Sequence, residues 1–132
     1  MVQFLEFYRE KYHYDQPVFC HGDYIPAHMF FDENAHLTGI IDFGMFQGGP
    51  RLYDLAIYNL NRPEQELNLL LDGYRSVYER DLGFESQLKL HTLALGMGFL
   101  AHETRIGNTD SARSTADRLR YTLNWCQNHL VL

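Results

Sequence analysis

The chain has 132 residues, and we expect residues 1–132 to form a single small domain. Its hydrophobic content of 45% and aromatic content of 14% can fill a core, which argues against intrinsic disorder. The formal net charge of −6, without any basic run, argues against a nucleic-acid partner.

Cysteine usage and hydropathy bear on the compartment. Cys20 and Cys126 lie far apart, so a disulfide framework is not expected and a cytoplasmic location is predicted. Residues 1–16 mix charged and aromatic side chains, which is not the pattern of a signal peptide. The longest mainly apolar run, residues 88–101, is interrupted by a lysine and a histidine and is too short to span a bilayer. We therefore expect no membrane partner.

The first part of the chain combines helical, strand-like and turn-like segments. Aromatic and apolar spacing predicts a short helix over residues 2–13. Strands are predicted over residues 18–20, 28–31 and 37–42, and the last two are joined through the turn composition of residues 32–34. These segments predict a short β-hairpin.

An irregular loop is predicted where the glycines cluster, over residues 44–50. Asp54 then has the character of an N-cap for a short helix that runs to Leu60. Asn61 and Glu64 have the spacing of a capping box at the start of the next helix.

Residues 57–132 are predicted to be a helical region. An apolar stripe marks residues 67–78, and residues 85–106 are apolar on most sides, as in a central buried helix that ends at Gly107. Ser111 is the predicted cap of a last amphipathic helix. The predicted fold class is therefore α+β and mostly helical: a short hairpin with catalytic-type loops, followed by three long helices.

Two isolated acids stand out in the motif region, residues 18–56. Asp23 and Asp42 are 19 residues apart, and each follows an apolar, strand-like run. Phosphoryl-transfer sites place a base and a metal ligand on neighbouring loops in this manner. The glycines that follow do not form a P-loop, because no helix with a Lys-Ser or Lys-Thr pair comes after them.

The ordered motifs resemble the carboxyl-terminal lobe of the aminoglycoside phosphotransferase and choline kinase-like family, which has a protein-kinase-like fold. The resemblance covers residues 18–56, while residues 57–132 match only in helical character. It rests on His21-Gly22-Asp23, Pro26, Ile41-Asp42-Phe43-Gly44 and Tyr53-Asp54-Leu55-Ala56, in that order.

The resemblance implies an ATP-dependent phosphotransferase with a small-molecule hydroxyl acceptor, and a cationic acceptor is compatible with the acidic chain. Asp23 would be the catalytic base, and His21 would brace the catalytic loop. Asp42 would be the main Mg²⁺ ligand and, with His28, would form the nucleotide and metal position. Asp54 would help to order the loops. Aminoglycoside-like, choline-like and homoserine-like acceptors all remain open.

The sequence departs from the family at two points. His28 stands where the family has a metal-binding Asn, five residues after the catalytic Asp. Imidazole is a poorer Mg²⁺ ligand than an amide oxygen, so His28 could take a softer metal, donate to a phosphate, or break the site. In addition, the family's amino-terminal lobe carries a phosphate-binding lysine, and Lys11 is the sole lysine before Asp23. We therefore expect a truncated lobe.

A truncated lobe leaves two functional alternatives. The chain is either a phosphotransferase (or its catalytic lobe), or a non-catalytic, degenerate kinase-like module that binds a ligand. Apolar surface that the absent lobe would cover predicts a homodimer or a partner chain that supplies the lobe.

Overall fold

The computed structural model describes residue 6, residues 16–75 and residues 83–130. The helix predicted over residues 2–13 therefore lies outside the described residues, apart from residue 6. The same holds for the end of the apolar stripe predicted over residues 67–78.

Among the described residues, four short strands form two antiparallel, two-stranded sheets. The predicted hairpin is confirmed, because β2 pairs with β3 and the register places Met29 opposite Ile40. The first strand, β1, pairs with a fourth strand, β4, that was predicted to be irregular loop. That prediction is wrong, because the backbone of the glycine-rich segment is extended and hydrogen-bonds to β1. The strands are β1 (Val18–Cys20), β2 (Met29–Phe31), β3 (Leu37–Ile40) and β4 (Gln47–Gly49).

Single 3-10 turns lie at the two motif loops. One turn, Pro26–His28, leads directly into β2, and the other, Phe43–Met45, lies between β3 and β4. Proline at the start of the first turn presets the required backbone angle. Both turns therefore lie beside the acids that the sequence singled out.

In the described part of the chain, one short helix and three long helices follow the strands, which confirms the mostly helical α+β class. The long α3 ends at Gly107, as predicted, because this glycine adopts the left-handed conformation at φ 76°. The helices are α1 (Tyr53–Asn61), α2 (Glu64–Arg75), α3 (Phe84–Ile106) and α4 (Thr109–His129). None of the helices in the described part of the chain is long and apolar enough to cross a membrane.

Two predicted helix caps are wrong. Asn108 caps α4, since its side-chain oxygen accepts from the Ser111 amide at 3.4 Å. Asn61 is the last residue of α1 and donates to the Ile57 carbonyl, so it forms no capping box with Glu64. In both places, the helix boundary lies a few residues from where the local pattern put it.

Two groups of buried side chains form the core of the described helices. The first group lies among α1, α2 and the start of α3, and the second joins the end of α1 to α3 and α4. The predicted central helix α3 is buried from Leu88 to Leu93, whereas Phe99 and His102 near its end are exposed. The helices therefore pack as one body that carries the strands and motif loops at the start of α1.

Candidate active site

The carboxylate of Asp54 holds the loop that follows β1. Its Oδ2 accepts from the His21 amide at 2.8 Å, and its Oδ1 accepts from the Gly22 amide at 2.9 Å. Asp54 lies in the first turn of α1, where the N-cap position is Leu52, so the predicted capping role is wrong. The carboxylate instead fastens the motif loop to the helix by two charge-assisted hydrogen bonds.

The ring of His21 joins the two motif loops. Its Nδ1 accepts from the Asp23 amide at 3.2 Å, and its Nε2 lies 2.8 Å from the Ile41 carbonyl. Because a carbonyl can only accept, Nε2 carries the hydrogen. The side chain is 4% exposed and both ring nitrogens are engaged, so His21 positions Asp23 relative to the neighbouring loop.

Gly22 allows the two loops to approach each other closely. Its φ of 89° is left-handed, and a Cβ at this position would lie 2.0 Å from the Met45 carbonyl oxygen. Any side chain would therefore push the loops apart.

Asp42 has a strained backbone. Its φ of 64° and ψ of 55° place it in the left-handed region, which residues other than glycine rarely adopt. Such strain occurs at sites where the surrounding structure fixes a side chain for function. The side chain of Asp42 is 62% exposed and is therefore open to a ligand.

Three predicted site residues come together: Asp23, His28 and Asp42. Each offers a ligand atom, and the three atoms lie within 4.8 Å of one another. The His28 Nδ1 lies 3.6 Å from Asp23 Oδ2, and its Nε2 lies 3.6 Å from Asp42 Oδ2. Two carboxylates and one imidazole form a donor set that fits a divalent cation.

A cavity of about 410 Å³ lies beside the motif loop. Burial, followed by the nearby Asp54 carboxylate and Tyr58, raises the pKa of Tyr24, so its hydroxyl stays protonated. Sequence reasoning missed the cavity, because its residues come from separate elements without a local motif. They are Tyr24, Arg51, Asp54, Leu55, Leu70, Gly73 and Tyr74.

Comparison with known families agrees with the motif order. The sequence profile of the phosphotransferase enzyme family matches residues 4–88, which is more than half of the chain. The chain belongs to this family. The resemblance inferred from the motifs is thereby confirmed. No curated protein and no solved structure gives a significant match to the chain.

The matched segment contains the whole candidate site. It includes all four strands, α1, α2 and the start of α3, so Asp23, Asp42 and Asp54 all lie within it. Most of α3 and all of α4 lie beyond it. Membership of a kinase-like phosphotransferase family therefore rests on the region that carries the site.

Proposed function

We propose that this chain transfers the terminal phosphoryl group of ATP to a hydroxyl of a small molecule. The observation that carries the proposal is the convergence of Asp23 and Asp42, with His28 between them, on one open side of a phosphotransferase-family chain. An open carboxylate beside a cation position is the minimum that phosphoryl transfer needs on the acceptor side.

Asp23 is the catalytic residue in this proposal. Its side chain is 42% exposed, while its amide is held by His21, so a fixed carboxylate faces solvent. The carboxylate orients the acceptor hydroxyl and takes its proton. The acceptor oxygen forms a new bond to the terminal phosphorus, the bond from phosphorus to the bridging oxygen breaks, and ADP leaves.

Asp42 and His28 would hold the metal ion that accompanies the nucleotide. When bound, such an ion neutralises charge on the phosphates. Asp42 would supply a carboxylate oxygen and His28 a ring nitrogen. His28 is the last residue of the first 3-10 turn, and Asp42 directly precedes the second. His21 acts on the reaction only through the loop that it positions, whereas Asp54 positions the same loop and also lines the neighbouring cavity.

The cavity beside Tyr24 is our candidate for the acceptor site. Its volume of about 410 Å³ lies within the usual range for small-molecule pockets. Arg51 and Asp54 both line it, so opposite charges share the wall. We therefore propose a polyhydroxylated acceptor that offers donors and acceptors, with a cationic acceptor as the second choice.

A binding module without phosphoryl transfer is the second candidate. The sequence contains two lysines, Lys11 and Lys89, and their positions favour this candidate. Lys89 is 1% exposed and paired with Glu64, so it cannot reach a phosphate, and Lys11 lies outside the described residues. The phosphate-binding lysine of the general template is thus not found among the described residues.

Two further elements of the proposal concern location and assembly. Cys20 and Cys126 are free and buried, which suits the reducing cytoplasm. Apolar side chains are exposed along the strands and motif loops, and we propose that a second copy of the chain covers them. A sedimentation experiment that shows only monomer at high concentration would contradict this assembly. These side chains are Val18, Phe19, Phe30, Phe31, Leu37, Ile41, Phe43, Met45 and Phe46.

The proposed reaction is tested with radiolabelled ATP, a divalent cation and a panel of aminoglycosides, choline and homoserine. We expect transfer to at least one acceptor and a loss of about 10²–10⁴-fold in Asp23→Asn, the range of general base catalysis. Asp117→Asn is the matched control, because Asp117 is an exposed acid on α4 that pairs with Arg120. Nucleotide binding without transfer would favour the binding module, and neither binding nor transfer would overturn both candidates.

A further inference from the structure

We propose that His28 makes the metal position select a divalent transition-metal ion, such as Mn²⁺, over Mg²⁺. The inference rests on the proposed function, because it concerns the same cation position. It depends on three observations: the orientation of the ring, the direction of its second nitrogen, and the donor types that surround it.

A hydrogen bond fixes the orientation of the His28 ring. Its Nδ1 lies 3.0 Å from the Asp23 backbone carbonyl oxygen. Because a carbonyl can only accept, Nδ1 must carry the hydrogen, and in the neutral ring the lone pair is on Nε2. Histidines that bind metals usually donate their other ring N–H to a carbonyl or carboxylate in this way.

The other ring nitrogen of His28, Nε2, lies near the carboxylate of Asp42. His28 Nε2 lies 3.6 Å from Asp42 Oδ2. Two adjacent ligands that each lie about 2.1 Å from one octahedral ion are about 3.0 Å apart, so a single ion fits between them once the side chains move closer by about half an ångström. A carboxylate oxygen of Asp23, the proposed base, belongs to the same cluster, so the base and the cation position lie side by side.

Burial differs across the three residues of this cluster. The His28 side chain is 16% exposed, whereas those of Asp23 and Asp42 are 42% and 62% exposed. The ring nitrogen thus approaches from the protein side, and the opposite side stays open to water or phosphate oxygens.

Donor chemistry then decides which ion is preferred. Mg²⁺ takes oxygen ligands and keeps its waters, so replacing an oxygen by a nitrogen weakens its binding. Transition-metal ions accept imidazole readily, and their affinity for mixed nitrogen and oxygen sites rises along the series from Mn²⁺. A cation position formed by the Asp42 carboxylate and the His28 imidazole therefore favours a transition-metal ion.

The competing explanation of the same geometry is a pair of contacts from a charged His28 to Asp23 and Asp42. That arrangement needs no metal. It predicts that an added cation does not bind the His28 ring. A measurement that detects a nitrogen ligand on the bound cation distinguishes the two explanations.

The experiment is a titration of the purified chain with Mn²⁺ followed by electron paramagnetic resonance, with Mg²⁺ as competitor. The test variant is His28→Asn, which places an amide oxygen at the position. His36→Asn is the control, because His36 is an exposed histidine that pairs with Asp32 on the hairpin turn. Pulsed measurements on the bound Mn²⁺ report coupling to a ligand ¹⁴N nucleus.

We expect the preference for Mn²⁺ over Mg²⁺ to fall about tenfold or more in His28→Asn and to stay unchanged in His36→Asn. The ¹⁴N coupling should disappear in His28→Asn alone. Equal preference in all three proteins, without ¹⁴N coupling, would overturn this inference and leave the proposed function standing. Absence of binding by either cation would overturn the inference, whereas phosphoryl transfer is scored separately in the radiolabel assay.

Discussion

The strand and loop region before α1 and the helical region after it are stabilised in different ways. Of the thirteen exposed large hydrophobic side chains among the described residues, nine lie between Val18 and Phe46. The buried core, in contrast, comes mainly from α1 to α4. The site-bearing region is therefore held in place by a few directed hydrogen bonds rather than by a core of its own.

The difference shows where function and stability separate in this fold. Asp54 stands at the boundary, because it belongs to α1 and its carboxylate binds the loop that carries Asp23. A change in the helical core should unfold the whole chain, whereas a change at Asp54 should release the site and leave the helices folded. The following predictions test that separation.

The largest effect is expected at an ion pair of the helical region, in which the Lys89 side chain is 1% exposed and the Glu64 side chain is 24% exposed. Lys89 Nζ lies 2.6 Å from Glu64 Oε1 and 5.9 Å from the ring centroids of Tyr121 and Trp125. Lys89→Ala would leave the Glu64 carboxylate without this partner and should lower the free energy of unfolding by about 3–5 kcal/mol. Urea denaturation followed by circular dichroism measures the change.

The control for Lys89 replaces both charges. Lys89→Met combined with Glu64→Gln keeps most of the side-chain volume and removes the uncompensated charge, so it should recover a large part of the loss. A loss under about 1 kcal/mol in Lys89→Ala would show that the pair is not part of the core, and the two regions would then differ less than proposed.

At the boundary between the regions, Asp54→Ala removes both hydrogen bonds to the motif loop. We expect the opening free energy of that loop to fall by about 2–3 kcal/mol, since hydrogen bonds to charged groups contribute about this much. Native-state hydrogen exchange should show the loss at the His21 and Gly22 amides and little change in α3. Asp54→Asn keeps one acceptor oxygen and should give a smaller loss. Equal losses across the helices would contradict the separation.

A pH effect is expected inside the helical region. Burial lowers the pKa of His91 from its ordinary value of 6.5 to about 4. Between these two pKa values the unfolded chain binds more protons at His91 than the folded chain does. The stabilising contribution of the neutral His91 is therefore fully present above pH 6.5 and is lost as the pH is lowered toward 4.

The size of the His91 contribution follows from this window. Acidification from pH 7 to pH 5 should cost about 2 kcal/mol, since one pKa unit corresponds to about 1.4 kcal/mol. Thermal or urea unfolding at the two pH values measures the change, and His91→Gln should reduce it. If the free energy of unfolding changed equally with pH in the wild type and in His91→Gln, a group other than His91 would be responsible.

The parts of the fold that the sequence predicted are those with local signals. The motifs around Asp23 and Asp42 are short and local, so the sequence alone locates them. The apolar segment of α3 and the apolar stripe of α4 are long enough to predict helices. The strand β4 was missed because Gln47–Gly49 has no alternation of side chains. It is extended because its backbone pairs with β1, which is a contact between distant parts of the chain.

Asp54 shows the same limit at a single residue. Its position before an apolar helical segment fits a cap, but its carboxylate satisfies amides more than 30 residues earlier in the chain. Likewise, the proximity of His28 to Asp42 is a contact between distant parts of the chain, which the sequence does not contain. Local rules thus failed where a long-range contact supplied the partner.

The smallest effect is expected at the start of α4, where two residues compete for the role of cap. The Asn108 side chain accepts from the Ser111 amide at 3.4 Å, a long hydrogen bond at an exposed position. Asn108→Ala should therefore cost about 0.5–1 kcal/mol, at the lower end of the range for N-caps. Ser111→Ala leaves that amide in place and should cost almost nothing. Because α4 packs against α3, urea denaturation should register the loss as a change in global stability, without any change in the exchange of the His21 amide. A larger loss of stability in Ser111→Ala than in Asn108→Ala would show that Ser111 is the cap, as the local sequence pattern predicted.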